Sequence, residues 1–225
     1  MKVQSVAVDG PSGAGKSTMA KKLAERLGFL YVDTGAIYRT VALYAQRRGV
    51  DCNDAAQVTA LLPQIQIVLR HLPDGLQHMF LEGEDVTEEI RRPQISSCAS
   101  QVSAIPAVRS FLMETQRALA REHNVIMDGR DIGTVVLPQA DVKIFLTAAP
   151  EERARRRYAE LVERGTDTDY DTVLRELKER DEKDTARAAA PLRQAEDAVL
   201  VDTTGLSLEE SLSLLLREIE GRLRG

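Results

Sequence analysis

The sequence contains no tryptophan and only 4% aromatic residues, so side chains on which bases could stack are scarce. Stacking on aromatic rings is a main source of affinity for single-stranded nucleic acids. The net charge is −5 and the pI is about 5.4, so the phosphate backbone of a nucleic acid is repelled at long range. These features disfavour nucleic-acid binding, and any bound phosphate must therefore be held by a local cluster of cations.

Cysteine and histidine are also rare. Cys52 and Cys98 lie in neither a metal-binding nor a C-x-x-C spacing, so we expect two buried, reduced thiols. His71, His78 and His123 lie outside every motif discussed below and are expected to be structural or exposed. No apolar run approaches the ~20 residues that a membrane helix needs, and a cleaved leader would have to contain the glycine-rich motif near the start. We therefore expect a cytoplasmic protein that binds no membrane.

Short apolar strands alternate with helical patterns along most of the chain. Strands are predicted at residues 3–8, 29–32, 125–127, 142–146 and 199–201. Helices are predicted at residues 19–27, 37–45, 150–165 and 171–185, from Pro106, and after a capping box at Ser207. The alternation predicts an α/β fold of three layers, α/β/α, around a five-stranded parallel sheet, in one domain over residues 1–225. Ligands of such sheets bind at the carboxyl ends of the strands.

Roughly residues 63–95 interrupt this alternation. Ile65, Ile67 and Leu69 alternate with polar residues, as in a half-exposed strand. A Pro-Asp-Gly turn at residues 73–75 and an apolar segment at residues 76–81 follow, which predicts an antiparallel hairpin. We interpret this segment as a small β-containing insertion.

A phosphate-binding loop is predicted between the first strand and the first helix. Its residues fit G-x-x-x-x-G-K-[ST] and are Gly10, Pro11, Ser12, Gly13, Ala14, Gly15, Lys16 and Ser17. The glycines allow backbone N–H groups to surround phosphate oxygens, and the helix N-terminus favours an anion. This motif predicts ATP binding, with Lys16 at the β- and γ-phosphates and a hydroxyl of Ser17 or Thr18 at Mg²⁺.

Arginines at strand ends predict a second anion site, for a phosphorylated acceptor. Arg39 follows the second strand, Arg130 follows the third, and Arg180 and Arg187 lie at the end of the charged helix. Arginine stays charged and binds phosphate in a bidentate way. The Asn-Lys-x-Asp motif with which GTPases read guanine is absent from the sequence, which leaves a small-molecule kinase as the best interpretation. A phosphate acceptor is already anionic, so no general base is required.

Six blocks of the sequence together resemble the bacterial cytidylate kinase family over nearly the whole chain. The blocks are DGPSGAGKS at residues 9–17, DTGAIYR at 33–39, LEGEDV at 81–86, ASQVS at 99–103, DGRDIGT at 128–134 and KERD at 178–181. The resemblance implies ATP-dependent phosphorylation of CMP and dCMP, in pyrimidine nucleotide metabolism. It also implies a nucleoside-monophosphate-binding subdomain at about residues 34–105 that includes the insertion, and a lid at about residues 153–166.

The same resemblance implies roles for individual residues. Residues 10–18 would bind ATP, and Lys16, Arg130 and Arg187 would act on the transferring phosphoryl group. The residues implied to bind the acceptor are Thr34, Tyr38, Arg39, Ser100, Arg109, Arg130, Asp131, Arg180, Asp184 and Arg187. Within this set Ser100, Arg109 and Asp131 would read the cytosine edge, and Asp184 with Arg180 would contact the ribose.

The donor and acceptor pattern of the base agrees with this assignment. Cytosine presents an amino donor at N4 and an acceptor at N3, which an aspartate beside an arginine satisfies. Uracil reverses both groups, so Asp131 would face a carbonyl oxygen. Unpaired polar groups of this kind reduce specificity constants by orders of magnitude. We therefore expect CMP and dCMP to be preferred over UMP.

Three other functions stay open at this point. A P-loop kinase for another small acceptor, such as shikimate or dephospho-CoA, would need neither the insertion nor the cytosine-reading set. A regulatory nucleotide-binding module would bind ATP without turnover, and a nucleic-acid-binding protein conflicts with the charge. No heptad seam typical of a coiled coil occurs in the sequence, and we expect a monomer.

Overall fold

The computed structural model describes residues 3–163 and 165–224, and it divides the chain into two compact units. The first unit contains the residues up to Tyr31 and those from Ala120 onward, and the second is Val32–Leu119. The strands are β1 (Ser5–Asp9), β2 (Leu30–Asp33), β3 (Ile67–His71), β4 (Gln77–Leu81), β5 (Glu84–Asp85), β6 (Val125–Gly129), β7 (Val142–Thr147) and β8 (Val199–Asp202). The helices are α1 (Lys16–Leu27), α2 (Thr34–Arg47), α3 (Ala55–Leu61), α4 (Pro93–Val102), α5 (Pro106–Glu122), α6 (Pro150–Glu163), α7 (Tyr170–Ala186) and α8 (Leu208–Leu223).

The five-stranded sheet has the order β2-β6-β1-β7-β8. Strand β1 lies at its centre and pairs in parallel with β6 on one side and β7 on the other, and β7 pairs in parallel with β8. The sheet is parallel throughout and its helices complete a three-layer α/β fold, so the predicted fold class is confirmed. Because the strands are parallel, the segments that follow β1, β6, β7 and β8 all leave the same edge of the sheet.

The core of the first unit follows from the apolar strands and one stripe of each flanking helix. Val6 and Val8 of β1 are fully buried with Ile126 of β6 and Ile144 of β7. Met19 and Leu23, four residues apart on the predicted first helix, pack there from α1. The helix ends at Gly28, which has the left-handed φ of 67° that a C-terminal glycine supplies. Helix α8 begins with the predicted capping box between Ser207 and Glu210.

The second unit is built around α2, α4, α5 and a three-stranded antiparallel sheet of order β3-β4-β5. The predicted hairpin is therefore present, with Gly75 at φ 74° in its turn, and a short third strand extends it. Helices α3 and α4 were not predicted, because neither sequence carries a clear apolar stripe of several turns. The core of the unit includes the large buried side chains of Ile37, Tyr44 and Met79.

The prediction of two reduced thiols is wrong. Cys52 and Cys98 are both buried, as expected, but they are joined by a disulfide whose Cα atoms lie 5.5 Å apart. The spacing in the sequence could not reveal the pair, because 46 residues separate the two cysteines and the fold of the second unit brings them together. Across residues 3–163 and 165–224, every helix is too short or too polar to span a lipid bilayer.

Candidate active site

The phosphate loop joins the end of β1 to the start of α1. Gly10 has φ 150°, and a Cβ atom there would lie 2.0 Å from the carbonyl oxygen of Leu146, so only glycine fits. Gly13 and Gly15 have left-handed φ values of 71° and 83°, and Gly15 is the residue that precedes α1. The backbone therefore turns tightly into the positive end of the helix, the geometry that binds phosphate.

Lys16 is the buried cation of this loop, with 5% of its surface exposed. Its Nζ donates a 2.6 Å hydrogen bond to the carbonyl oxygen of Pro11. Burial lowers the pKa of Lys16 well below its usual value, and the nearby charges of Arg130 and Arg180 lower it further. An anion in the loop would stabilise the charged form of this lysine.

Asp128, which the sequence analysis did not assign, faces the start of α1 from the carboxyl end of β6. Its carboxylate accepts hydrogen bonds from the hydroxyl of Ser17 at 2.8 Å and from that of Tyr31 at 3.0 Å. The signal was an acidic residue directly after a buried apolar strand, which is where P-loop proteins carry a magnesium-binding aspartate. A hydroxyl and a carboxylate together are donors that suit Mg²⁺. Thr18, the alternative hydroxyl, is exposed like Ser17, so the bond to Asp128 and not burial distinguishes Ser17.

Asp9 is a second buried acid that the sequence analysis left without a role. Its two carboxylate oxygens each accept a 2.7 Å hydrogen bond from a backbone N–H, one from Ile132 and one from Gly133. Burial raises the pKa of Asp9 to about 7, against the lowering effect of these two bonds. The carboxylate thereby fixes the π-helical turn Ile132–Val136, which follows Arg130 and the buried Asp131.

Three predicted residues of the first unit form one ionic cluster around Asp184, which is fully buried. Arg130 donates from Nε to one carboxylate oxygen at 2.9 Å, and Arg187 donates from an Nη to the other. Burial alone would raise the pKa of Asp184, but Arg130, Arg187 and Arg180 lower it below the ordinary value. Both oxygens of Asp184 therefore bond to arginines, and its implied contact with ribose stays a prediction.

In the second unit, Arg39 projects from the first turns of α2. Asp33 caps this helix by accepting from the N–H of Ala36 at 2.8 Å, and it accepts from Arg39 at 2.8 Å as well. The Nε of Arg39 is buried and has no hydrogen-bond partner among the described residues, so it offers a donor to an anion. A Cβ atom at Gly35 would lie 3.0 Å from Arg39 Nη1, so this glycine leaves room for the arginine. Thr34, which lies between Asp33 and Gly35 in the sequence, is also buried.

Tyr38 and Arg109 also lie together in the second unit. The guanidinium carbon of Arg109 is 5.5 Å from the centroid of the Tyr38 ring, a cation–π arrangement. Arg109 is 5% exposed and donates to the carbonyl oxygen of Ser103 at 2.9 Å. The hydroxyl of that serine in turn donates to the carbonyl oxygen of Ser100, 2.9 Å away. This chain of contacts orients the arginine predicted to read the base.

Two groups of predicted residues are thus formed within their own units. In the first unit, the positive charges of Arg130 and Arg180 lower the pKa of Lys16, and the charge of Asp131 raises the pKa of Asp9. The second unit joins Asp33 to Arg39 and Tyr38 to Arg109. Within residues 3–163 and 165–224 no cluster of three or more His, Cys, Asp or Glu side chains could hold a metal by itself. A cation here would be held by few protein oxygens and by substrate phosphates.

Arg153, at the start of the predicted lid segment, is buried. It is 5% exposed and its side chain bonds to Ser12, Ala148 and Asp181, so it does not lie on a solvated helix face. Helix α6 covers residues 150–163, and Arg164 lies outside the described residues. That the segment moves as a lid stays a prediction.

Comparison with known proteins agrees with the resemblance seen in the sequence. The family model described as cytidylate kinase matches residues 6–221. The cytidylate kinase of Caldicellulosiruptor bescii is 51% identical over 216 residues, which are 96% of this chain and 95% of that protein. The cytidylate kinase of Pelotomaculum thermopropionicum is 50% identical over 219 residues, 97% of each chain.

A likeness among solved structures concerns the fold alone. The crystal structure of an uncharacterised protein from Eubacterium ventriosum superimposes with a TM-score of 0.53 at 12% identity, over 97% of this chain and 99% of that one. The identity of about one half to the relatives above, maintained over almost the whole length, is the stronger finding. The chain belongs to the cytidylate kinase family.

Proposed function

We propose that this protein transfers the γ-phosphoryl group of ATP to CMP and dCMP. A phosphate oxygen of the acceptor bonds to the γ-phosphorus while the bond from that phosphorus to the β–γ bridging oxygen breaks. ADP leaves with that electron pair, and CDP or dCDP forms without a proton transfer. The observation that carries the proposal is the set of cations in the first unit, where the charges of Arg130 and Arg180 act on Lys16 of the phosphate loop and Arg187 shares Asp184 with Arg130.

The ATP site of the proposal is the loop from Gly10 to Thr18. Its backbone N–H groups and the N-terminus of α1 would bind the phosphates, and Lys16 would contact the transferring group. Mg²⁺, when bound, would neutralise charge on the β- and γ-phosphates. Ser17 and Asp128, whose side chains are 2.8 Å apart, are the residues that would hold it, and this pairing supports Ser17 rather than Thr18.

Arginines supply the electrostatic part of the mechanism. Phosphoryl transfer needs positioning and charge neutralisation more than covalent catalysis. Asp184 orients Arg130 and Arg187 through both of its oxygens, which is the kind of arrangement that gives electrostatic stabilisation. Arg180 adds a third positive charge near the same carboxylate. We assign Arg130 and Arg187, with Lys16, to the transferring phosphoryl group, and Arg180 with Asp184 to the ribose.

The residues assigned to the acceptor come from both units, and each assignment rests on the contacts of that residue within its own unit. Arg39, with a buried Nε available to an anion, would bind the phosphate of CMP together with Thr34 and Tyr38. Ser100, Arg109 and Asp131 would read the cytosine edge, and the bonds from Arg109 to Ser103 and from Ser103 to Ser100 support a fixed orientation for that reading. We propose that the protein works as a monomer in the cytoplasm, where ATP is abundant, with a lid at about residues 153–166 that excludes water.

The experiment is a coupled ADP-release assay with ATP, Mg²⁺ and a panel of acceptors. The panel contains CMP, dCMP, UMP, AMP, GMP, shikimate and dephospho-CoA. We expect turnover with CMP and dCMP at least ~100-fold above UMP and the others, as measured by kcat/KM. Turnover with a different acceptor would keep the phosphate-loop assignment and refute the cytosine-reading residues. ATP binding without turnover on the whole panel would instead support a regulatory module.

A further inference from the structure

Ser12 of the phosphate loop has both of its backbone groups bonded to side chains of distant helices. Its N–H donates to Asp181 of α7 at 3.0 Å, and its carbonyl oxygen accepts from Arg153 of α6 at 2.8 Å. These partners lie 169 and 141 residues away in the sequence. A loop residue with its donor and its acceptor both bonded is restricted in both of its peptide planes.

The two side chains also bond to each other and are anchored in turn. Arg153 donates to the second oxygen of Asp181 at 2.6 Å, and its Nε donates to the carbonyl oxygen of Ala148 at 2.8 Å. The side chain of Arg153 is 6% exposed and that of Asp181 is 19% exposed, so the pair is largely shielded from solvent screening. A charge-assisted pair of this kind, anchored at both ends, has a defined geometry.

Gly13 gives an independent sign that the same helices pack on the loop. A Cβ atom at this position would lie 3.1 Å from Leu177 Cδ1 of α7 and 3.3 Å from the Cβ of Arg153. Its φ of 71° also favours glycine. The loop backbone therefore lies directly against α6 and α7 at Gly13, next to Ser12, to which Arg153 and Asp181 bond.

We infer that Arg153 and Asp181 are positioning residues that hold the phosphate loop in its nucleotide-binding shape through Ser12. The inference rests on the proposed function only in that the loop binds ATP. A loop held in place binds phosphate without first losing conformational entropy, so the pair increases the affinity for nucleotide and not the rate of the chemical step. The pair also makes the loop shape depend on the positions of α6 and α7.

The test measures ADP and ATP binding by isothermal titration calorimetry for Asp181→Ala, Arg153→Met and the double variant. We expect each single variant to raise the Kd for both nucleotides roughly tenfold or more, because a charge-assisted bond to the loop is lost. The Kd of the double variant should be at most about twice that of the single variant with the higher Kd, because both side chains act on the same loop residue. In the coupled assay, KM for ATP should rise while kcat and KM for CMP change less than about threefold.

Lys178→Met is the matched control. Lys178 of α7 pairs with Glu151 of α6 at 3.3 Å, so its loss also removes an ion pair between the two helices, but at an exposed position. We expect wild-type nucleotide affinity from this variant. Asp181→Asn is the milder variant, since its amide oxygen still accepts from Ser12 while the ion pair with Arg153 is lost, and its Kd should fall between wild type and Asp181→Ala.

Two results would overturn the inference. One is a Kd within twofold of wild type for folded Asp181→Ala and Arg153→Met. The other is an equal loss of affinity in Lys178→Met, which would mean that the packing of α6 on α7, and not the bonds to Ser12, matters. Failure of the proposed function is a separate outcome, because wild type would then bind ATP and phosphorylate no CMP while the binding differences among the variants persisted.

Discussion

At the scale of single residues, Lys16 is the side chain on which the proposed chemistry depends most directly. Lys16→Ala removes the buried cation of the loop, and we expect kcat/KM with CMP to fall by at least ~1,000-fold. Circular dichroism and thermal unfolding should show an intact fold. Lys21→Ala on the exposed face of the same helix is the control and should retain activity. Retained activity in Lys16→Ala would contradict the assignment.

Asp131 is the residue that should separate cytosine from uracil. It is 4% exposed and directly precedes the turn that Asp9 fixes. In Asp131→Asn the amide can donate to a carbonyl oxygen, so discrimination between CMP and UMP should fall from ~100-fold to about tenfold or less. The measurement is kcat/KM for both nucleotides in the same assay. An unchanged ratio would assign the reading of the base to other residues.

His78 gives a prediction about pH. Hydrogen bonds to Asp85 and Asp74, at 2.8 and 2.9 Å, raise the pKa of His78 above its ordinary value of about 6.5. Arg70 lies opposite in β3, and the charged residues Glu88, Glu89 and Arg92 line the same surface cavity as His78. Because the folded-state pKa is raised, the stabilisation is fully present below pH ~6.5 and is lost as pH rises through the folded-state pKa.

Nuclear magnetic resonance titration of the imidazole protons of His78 checks this pH dependence. We expect a midpoint above ~6.5 in the wild type, and a lower midpoint in Asp85→Asn. Asp54→Asn, which changes a capping aspartate of the same unit, should leave the midpoint unchanged. The free energy of unfolding lost in His78→Gln should be greater at pH 6 than at pH 9. The opposite order would show that the two aspartates do not stabilise the charged ring.

At the scale of elements, the capping box of α8 makes a separable contribution to stability. The hydroxyl of Ser207 accepts from the N–H of Glu210, and the carboxylate of Glu210 accepts from the N–H of Ser207 at 2.8 Å. Ser207→Ala should lower the free energy of unfolding by about 1 kcal/mol and Tm by roughly 2–4 °C, without affecting kcat. Ser213→Ala, at an exposed position inside the same helix, should be neutral or slightly stabilising. Equal effects of the two substitutions would contradict a role for the cap.

Element prediction from sequence succeeded where a periodic stripe or a cap was present. The stripe of α1, the proline that opens α5 and the capping box of α8 are all local signals, and each lies where it was predicted. Helix α4 was missed because its sequence between Pro93 and Val102 is rich in serine and glutamine. Its buried face, with Ile95 and Cys98, is identified only by what it packs against.

At the scale of the whole molecule, the disulfide links two segments of the second unit. Cys52 follows α2 and Cys98 lies within α4, and the closed loop spans 46 residues of sequence separation. Constraining a loop of this size in the unfolded chain stabilises a fold by roughly 2–4 kcal/mol. The free energies of unfolding of the oxidised and the reduced protein, measured by chemical denaturation, should therefore differ by about that amount.

Titration in denaturant measures the number of reactive thiols in each form of the protein. The oxidised protein should expose no thiol and the reduced protein two, because the chain has two cysteines. Cys52→Ser should unfold at the same denaturant concentration with or without reductant. Two reactive thiols in protein purified without reductant would show that the pair is open under those conditions.

The phosphate loop, the alternation of strands and helices and the family were predictable from the sequence, because each depends on neighbouring residues or on motifs of fixed spacing. Contacts between side chains far apart in the sequence depend on the three-dimensional fold. Asp128 reaches Ser17 over 111 residues, Asp181 reaches Ser12 over 169, and Arg130 reaches Asp184 over 54. The order β2-β6-β1-β7-β8 brings the ends of β1 and β6 together, and local periodicity carries no information about that order.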